Sequence, residues 1–227
     1  MKSQRDVAVK VNEFYLRLAD DKRHRYMSWE HYYDYFGQDE VDVDKACLHM
    51  AFYLASWGMY RGSSFLLWKD YLIHKEVVQR LLENKHLRLR KGQADYSGSD
   101  ISEIIELCRW IKGWYKNNTG KINGEVREAN ATPTLVTKIV LGALGCIPAY
   151  DRYFIDGLRS EKIDPLIPNQ KSIKALVDFY ISHRGQFDSL QMKIKTIGGR
   201  PYPAMKLIDM YFWQIGSEQN PSKRRMG

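Results

Sequence analysis

The chain has 227 residues, 44% of them hydrophobic, which is enough to bury the core of one large domain or of two small lobes. Its net charge of +8 and pI of about 9.2 favour a polyanionic partner, most simply nucleic acid, although a basic surface without a partner is the alternative. The N-terminus lacks the apolar core of a signal peptide, and no apolar run approaches membrane-spanning length. We therefore expect a cytoplasmic protein with no membrane association.

The apolar spacing along the chain is helical, and we find no alternating strand pattern of any length, so the sequence predicts an all-α fold. We interpret the chain as a single helical domain that is either undivided or split into two lobes, and we expect a monomer. A flexible basic tail is predicted for residues 217–227. The predicted helices span residues 4–20, 29–36, 45–60, 65–71, 74–89, 101–115, 133–144, 151–157, 172–187 and 203–215.

Three cysteines, Cys47, Cys108 and Cys146, are widely spaced in apolar helical segments. An odd number without a CxxC pair predicts neither a disulfide framework nor a zinc site, so we expect buried free thiols in a reducing compartment. The histidines show no spacing typical of metal ligands, and there is no HExxH, P-loop or GxSxG motif. We expect neither a metal nor a cofactor.

Two basic segments are candidate phosphate contacts. Residues 85–91 end a predicted helix and contain Arg88, Arg90 and Lys91, and residues 193–200 are glycine-rich and end at Arg200. A solvated helix end is the alternative, because helix C-termini favour cations in any case. Arg61, between two glycines and before two serines, indicates either an anion-binding corner or a tight turn between helices.

The segment from residue 128 to 158 organises the chain. Thr132 is a natural helix N-cap, and Pro133 follows at the first helical position, where its missing N–H costs nothing. An almost wholly apolar helix then ends near Gly145, and a short turn leads to Asp151 at the start of the next helix. A carboxylate in such an apolar segment indicates either a functional group or simply an N-cap.

The run from Ile139 to Phe154 resembles the helix–hairpin–helix superfamily of DNA glycosylases. In that family a hairpin is followed by an apolar helix, a short loop with Gly or Pro, and a catalytic Asp at a helix start. The resemblance places the helix–hairpin–helix segment at about residues 120–158 and implies two helical lobes around a cleft. It also implies that Asp151 is catalytic and that duplex DNA with a flipped base is the substrate.

The sequence departs from the family pattern at three points. The hairpin turn, residues 129–134, has no glycine, and the loop before Asp151 is shorter than usual. Leu135 occupies the position of the catalytic lysine of lyase-competent members, and Lys138 lies one turn further on. The iron–sulfur cluster of some members needs four cysteines and is excluded. The resemblance therefore implies a monofunctional glycosylase that leaves an abasic site.

Glycosidic-bond cleavage gives the sugar oxocarbenium character, which a carboxylate such as Asp151 stabilises. A flipped base needs an aromatic pocket, although core packing is the more common role of such rings. The candidate pocket residues are Tyr150, Tyr153, Trp57, Tyr60 and Arg61. The candidate nucleic-acid contacts are Thr132, Thr134, Lys138, Arg88, Arg90, Lys91 and Arg200.

The substrate base would be a damaged or modified one, including a modified phage base, in a repair or a phage-defence setting. A non-catalytic DNA- or RNA-binding helical protein and an RNA-targeting toxin-like protein are the alternatives. The surroundings of Asp151 discriminate between them. A solvent-reachable carboxylate in an aromatic cleft with basic rims favours the glycosylase, and a carboxylate used only for capping favours the others.

Overall fold

The computed structural model describes residues 6–219, apart from the side chain of Ala19, and 66% of this part is helical. The all-α prediction is confirmed, with one very small sheet added. Most of the predicted tail lies outside the described residues, but Ser217 and Glu218 belong to the last helix.

Eleven α-helices lie within the described range. They are α1 (Val7–Asp20), α2 (Met27–Phe36), α3 (Val43–Ser56), α4 (Lys75–Leu82), α5 (Leu87–Arg90), α6 (Gly98–Asn118), α7 (Pro133–Leu144), α8 (Arg152–Ser160), α9 (Gln170–Ser182), α10 (Arg184–Lys193) and α11 (Ala204–Glu218). Three short 3₁₀ turns span Phe65–Trp68, Tyr71–His74 and Asn84–His86. Strands β1 (Lys121–Ile122) and β2 (Glu125–Val126) pair antiparallel.

Several predicted helix boundaries were wrong. The segment 65–71 forms 3₁₀ turns, the helix 74–89 breaks after Leu82, and the helix 172–187 is two helices, α9 and α10. The small hairpin was missed because two-residue strands are too short to show alternation. Its turn, Asn123-Gly124, has φ values of 52° and 79°, as a two-residue hairpin with positive φ at both positions requires.

Helix α7 is the centre of the molecule. Every residue from Leu135 to Leu144 is buried, and helices α2, α3 and α6 pack against it. Its ends form as the sequence predicts: the Thr132 hydroxyl accepts the Leu135 N–H at 3.2 Å, and Gly145 adopts a left-handed φ of 64° that terminates the helix.

Helices α8 and α11 touch backbone to backbone. A Cβ on Gly157 would lie 2.0 Å from the Phe212 carbonyl oxygen, and one on Gly216 would lie 1.9 Å from that of Tyr153. Only glycine permits such an approach, since any larger residue would force the helices apart. This contact fixes the start of α8, where Asp151 lies, relative to Trp213 on α11.

His74 is fully buried between two tyrosines. One ring nitrogen lies 2.9 Å from the Tyr60 hydroxyl and the other 2.6 Å from the Tyr115 hydroxyl. Burial lowers the pKa of His74 to about 3, because the charged form loses its hydration. The imidazole is therefore neutral in the folded protein at physiological pH.

Acid should destabilise the fold through His74. Between the unfolded-state pKa of 6.5 and about 3, the unfolded chain binds a proton that the folded chain does not. The free energy of unfolding should thus fall by up to about 1.4 kcal/mol for each pH unit below 6.5. Urea titrations from pH 7 to pH 4 measure this slope, and His74→Gln should show a shallower one. Equal slopes in the two proteins would contradict the assignment.

Candidate functional site

A pocket of about 420 Å³ opens where the end of α3 and the N-terminal ends of α7 and α8 meet α11. Its lining combines one carboxylate, four cations and three aromatic rings. The lining residues are Arg25, Trp57, Gly58, Met59, Arg61, Thr134, Lys138, Asp151, Arg152, Tyr153 and Trp213. These residues come from distant parts of the sequence and meet only in the folded chain.

Asp151 is the carboxylate of this pocket. One oxygen accepts the Phe154 N–H at 3.1 Å and so caps α8, and the other lies 3.0 Å from the Lys138 ammonium. The Asp151 side chain is 16% exposed, so it still reaches the pocket. It is therefore a cap and a pocket group at once, which combines the two interpretations of the sequence.

The turn before Asp151 is tied to the first turns of α7. The Thr134 hydroxyl donates to the Tyr150 carbonyl at 2.8 Å, and the Thr137 hydroxyl accepts the Tyr150 N–H at 2.9 Å. A carboxylate oxygen of Asp209 accepts the Ala149 N–H at 2.9 Å. Because these backbone groups are satisfied inside the protein, the turn holds Asp151 in one place.

Lys138 is buried, with 2% of its surface exposed. Its ammonium contacts Asp151 and lies 4.7 Å from the centroid of the Trp57 ring, a cation–π distance. The sequence predicted Lys138 as a phosphate contact, and this stays a prediction: its ammonium lines the pocket, where a carboxylate and an indole hold it.

Flat aromatic walls surround the ion pair. Trp57 stacks on Tyr26 with centroids 4.6 Å apart, and Trp213 meets Tyr153 edge to face at 5.1 Å. Trp57 and Trp213 are perpendicular to each other at 6.4 Å. Rings braced in this way present rigid apolar surfaces of the kind on which a planar ligand stacks.

Three exposed arginines form the rim. Arg25 and Arg152 lie over the rings of Tyr26 and Tyr153 at 5.6 and 4.8 Å, and Arg61 folds back against Gly58. With Lys138 there are four cations against the single carboxylate Asp151, so the lining carries +4 − 1 = +3. This charge favours an anionic ligand.

Six of the residues named from the sequence meet in this pocket. They are Asp151, Tyr153, Trp57, Arg61, Thr134 and Lys138. Three charged or aromatic lining residues were missed. They are Arg25, which lies between two predicted helices, Trp213, which lies within the predicted helix 203–215, and Arg152, which follows Asp151 directly.

Tyr150 and Tyr60 do not line the pocket. Tyr150 is 1% exposed and its hydroxyl bonds to Ser172, while the Tyr60 hydroxyl bonds to His74. Burial raises the pKa of both hydroxyls, to about 12 for Tyr60. Thr132 uses its hydroxyl to cap α7. The hydroxyls of these three side chains thus make contacts within the protein.

The remaining predicted DNA contacts also lie outside the pocket. Arg88 pairs with Asp100, and Lys91 pairs with Asp39 at 2.6 Å. Arg200 donates to two carbonyl oxygens, those of Tyr33 and Arg90. The phosphate-contacting stripe stays a prediction, although the Arg88 guanidinium already faces a carboxylate.

Comparison of the chain with protein-family models, curated proteins and solved structures gives no match. Within residues 6–219, no helix combines the length and the apolar character needed to cross a bilayer. The same residues contain no group of three or more His, Cys, Asp or Glu side chains placed to hold a metal ion.

The pair between Lys138 and Asp151 should contribute to stability. Asp151→Asn keeps the cap but leaves a buried ammonium without its counter-charge, and Lys138→Met removes that ammonium. We expect a coupling energy on the order of 1–3 kcal/mol in a double-mutant cycle followed by urea unfolding. Strictly additive effects of the two substitutions would show that the two side chains do not interact.

Proposed function

We propose that the protein is a monofunctional DNA glycosylase that excises a damaged or modified base flipped out of a duplex into the pocket around Asp151. The observation that carries the proposal is a carboxylate that reaches an aromatic pocket with an arginine rim. The pocket's volume of about 420 Å³ lies in the range typical of small-ligand sites, about 300–1,000 Å³.

The chemistry requires one carboxylate. The bond between the sugar C1′ and the base nitrogen breaks, its electron pair leaves with the base, and the sugar gains positive charge. Asp151 stabilises this charge and orients the water that adds to C1′. The water's proton passes to the carboxylate and then, through solvent, to the nitrogen of the departing base. The products are the free base and an abasic sugar.

The rim and the walls supply binding. Trp57, Tyr153 and Trp213 offer rings against which the flipped base stacks. Arg25, Arg61 and Arg152 are exposed and positioned to contact the phosphates on either side of the flipped nucleotide. Binding to phosphates carries no base preference, so the choice of base rests on the pocket itself.

The abasic site should remain uncut. Leu135, where the family resemblance would place the lyase lysine, is buried at 4% exposure, and the Lys138 ammonium is held by Asp151 and Trp57. A protonated, paired amine is a poor nucleophile for a Schiff base.

A second candidate function is non-catalytic binding of a nucleic-acid phosphate in the same pocket. It is favoured by one observation: both oxygens of Asp151 already accept hydrogen bonds inside the protein, from Phe154 and Lys138. In that case Asp151 would only position Lys138. The experiment below separates the two functions.

Asp151→Asn should lower excision by about a hundredfold or more, because the charge facing the sugar cation is lost. Duplex DNA carrying chemically damaged or phage-type modified bases is incubated with each protein, and released bases are identified by mass spectrometry. Abasic sites are counted as strand breaks that need alkali. The matched control is Asp156→Asn on α8, whose carboxylate pairs with Arg159, and it should keep full activity.

Two results would overturn the proposal. An Asp151→Asn protein as active as the wild type would remove the carboxylate from the mechanism. A wild type that binds the duplex but releases no base from any of these substrates would favour the non-catalytic alternative. Strand breaks without alkali would show that a lysine acts as a lyase nucleophile and that the reaction is not monofunctional.

A further inference from the structure

Arg90, at the end of α5, is buried without an acidic partner. Only 7% of the residue is exposed, and its Nε atom has no hydrogen-bond partner. In the part of the chain that the structure describes, its guanidinium forms no ion pair. A buried N–H without an acceptor is costly, so natural proteins rarely keep one without a use.

Two further cations lie beside Arg90. Arg200 donates from Nη2 to the Arg90 carbonyl at 3.0 Å, and its guanidinium stacks on the Tyr33 ring at 4.0 Å. Lys91 follows directly in sequence and donates to the Gly37 carbonyl at 3.2 Å. The three residues of this cluster, Arg90, Lys91 and Arg200, meet at the C-terminal end of α2, although they come from two distant segments.

The cluster lacks compensating negative charge. Asp39 is the carboxylate that attracts Arg90, but Lys91 already binds it at 2.6 Å. The C-terminal carbonyls of α2, from Tyr33 and Gly37, are taken by Arg200 and Lys91. Burial and the neighbouring Arg200 lower the pKa of Arg90, yet an arginine stays protonated at neutral pH. Three cations against one carboxylate leave a charge of about +2 to be neutralised.

We propose that Arg90, with Lys91 and Arg200, binds a phosphate group. A guanidinium offers two parallel N–H donors that match phosphate oxygens, and Lys91 adds a point charge. The phosphate belongs either to a nucleic-acid backbone or to a free phosphomonoester or inorganic phosphate, and the two sources share this chemistry. The site does not depend on base excision at Asp151.

The cluster is separate from the pocket around Asp151. Lys91 and Arg200 line a second cavity, of about 570 Å³, which reaches the end of α7 at Leu144. The pocket around Asp151 is lined by Thr134, at the other end of α7. Ten residues of α-helix span about 15 Å, so a ligand in one pocket does not fill the other.

Thermal unfolding in phosphate and in chloride at equal ionic strength tests the site. The Tm of the wild type should rise with phosphate, by about 3–6 °C at a tenfold excess over its Kd, because the ligand binds only the folded state. Arg90→Met should abolish this rise. In chloride alone the same variant should melt at or above the wild-type Tm, since it removes a buried N–H that has no acceptor.

Arg88→Met is the matched control. Arg88 lies on the same short helix and already pairs with Asp100, so its variant should melt lower in chloride but keep the response to phosphate. A phosphate-induced rise in Tm that persists in Arg90→Met would overturn the proposal. So would the absence of such a rise in the wild type, if Arg90→Met also leaves the salt dependence of DNA binding unchanged.

A titration of duplex DNA binding at several salt concentrations distinguishes the two sources of phosphate. For a backbone phosphate, Arg90→Met should reduce the slope of log K against log salt for duplex binding by about one. For a free phosphate, the slope should stay unchanged while the Tm response to inorganic phosphate is present in the wild type.

If Arg90→Met fails to fold, Lys91→Met supplies the same comparison at a less buried position. A phosphate-induced Tm rise that Lys91→Met leaves undiminished would then count against the cluster. Neither the thermal unfolding nor the DNA titration measures base release. A failure of the phosphate-site proposal is therefore distinguishable from a failure of the proposed glycosylase.

Discussion

The ion pair between Lys138 and Asp151 connects the most deeply buried helix to the mouth of the pocket. Lys138 is a charge on a helix whose other residues are almost all apolar, and it is tolerated because a carboxylate and an indole face both contact its ammonium. The ion pair fixes Asp151 against α7, and the glycine contact between α8 and α11 fixes Asp151 relative to Trp213. The pocket is therefore preorganised before any ligand enters.

Positive charge is unbalanced around Asp151 and, separately, around Arg90. Around Asp151 the excess is exposed on three arginines and costs little, because water solvates them. Around Arg90 one N–H is buried without an acceptor, and its cost falls on the stability of the fold. The proposed phosphate site would give this cost a use, as unpaired groups at functional sites generally have.

The sequence predicts the buried helix α7 and its caps, since Thr132, Pro133 and Gly145 act through local chemistry. It also predicts Asp151 as the carboxylate of the site, because a charge at the end of an apolar run stands out. It does not predict that Lys138 points inward, or that Arg25 and Trp213 reach the same pocket. Those facts depend on tertiary packing between segments far apart in sequence. The sequence also does not predict that the Arg88 guanidinium faces Asp100, a partner twelve residues away.

The central claim is that Asp151 faces a developing sugar cation. Its most direct test needs no knowledge of the base: the Kd of the protein for duplex DNA carrying a cationic pyrrolidine in place of one sugar is compared with the Kd for a neutral tetrahydrofuran analogue. We expect the wild type to prefer the cation by at least about tenfold, as enzymes prefer transition-state analogues, and Asp151→Asn to lose that preference. Equal binding of both analogues by the wild type, or a preference that survives in Asp151→Asn, would contradict the account.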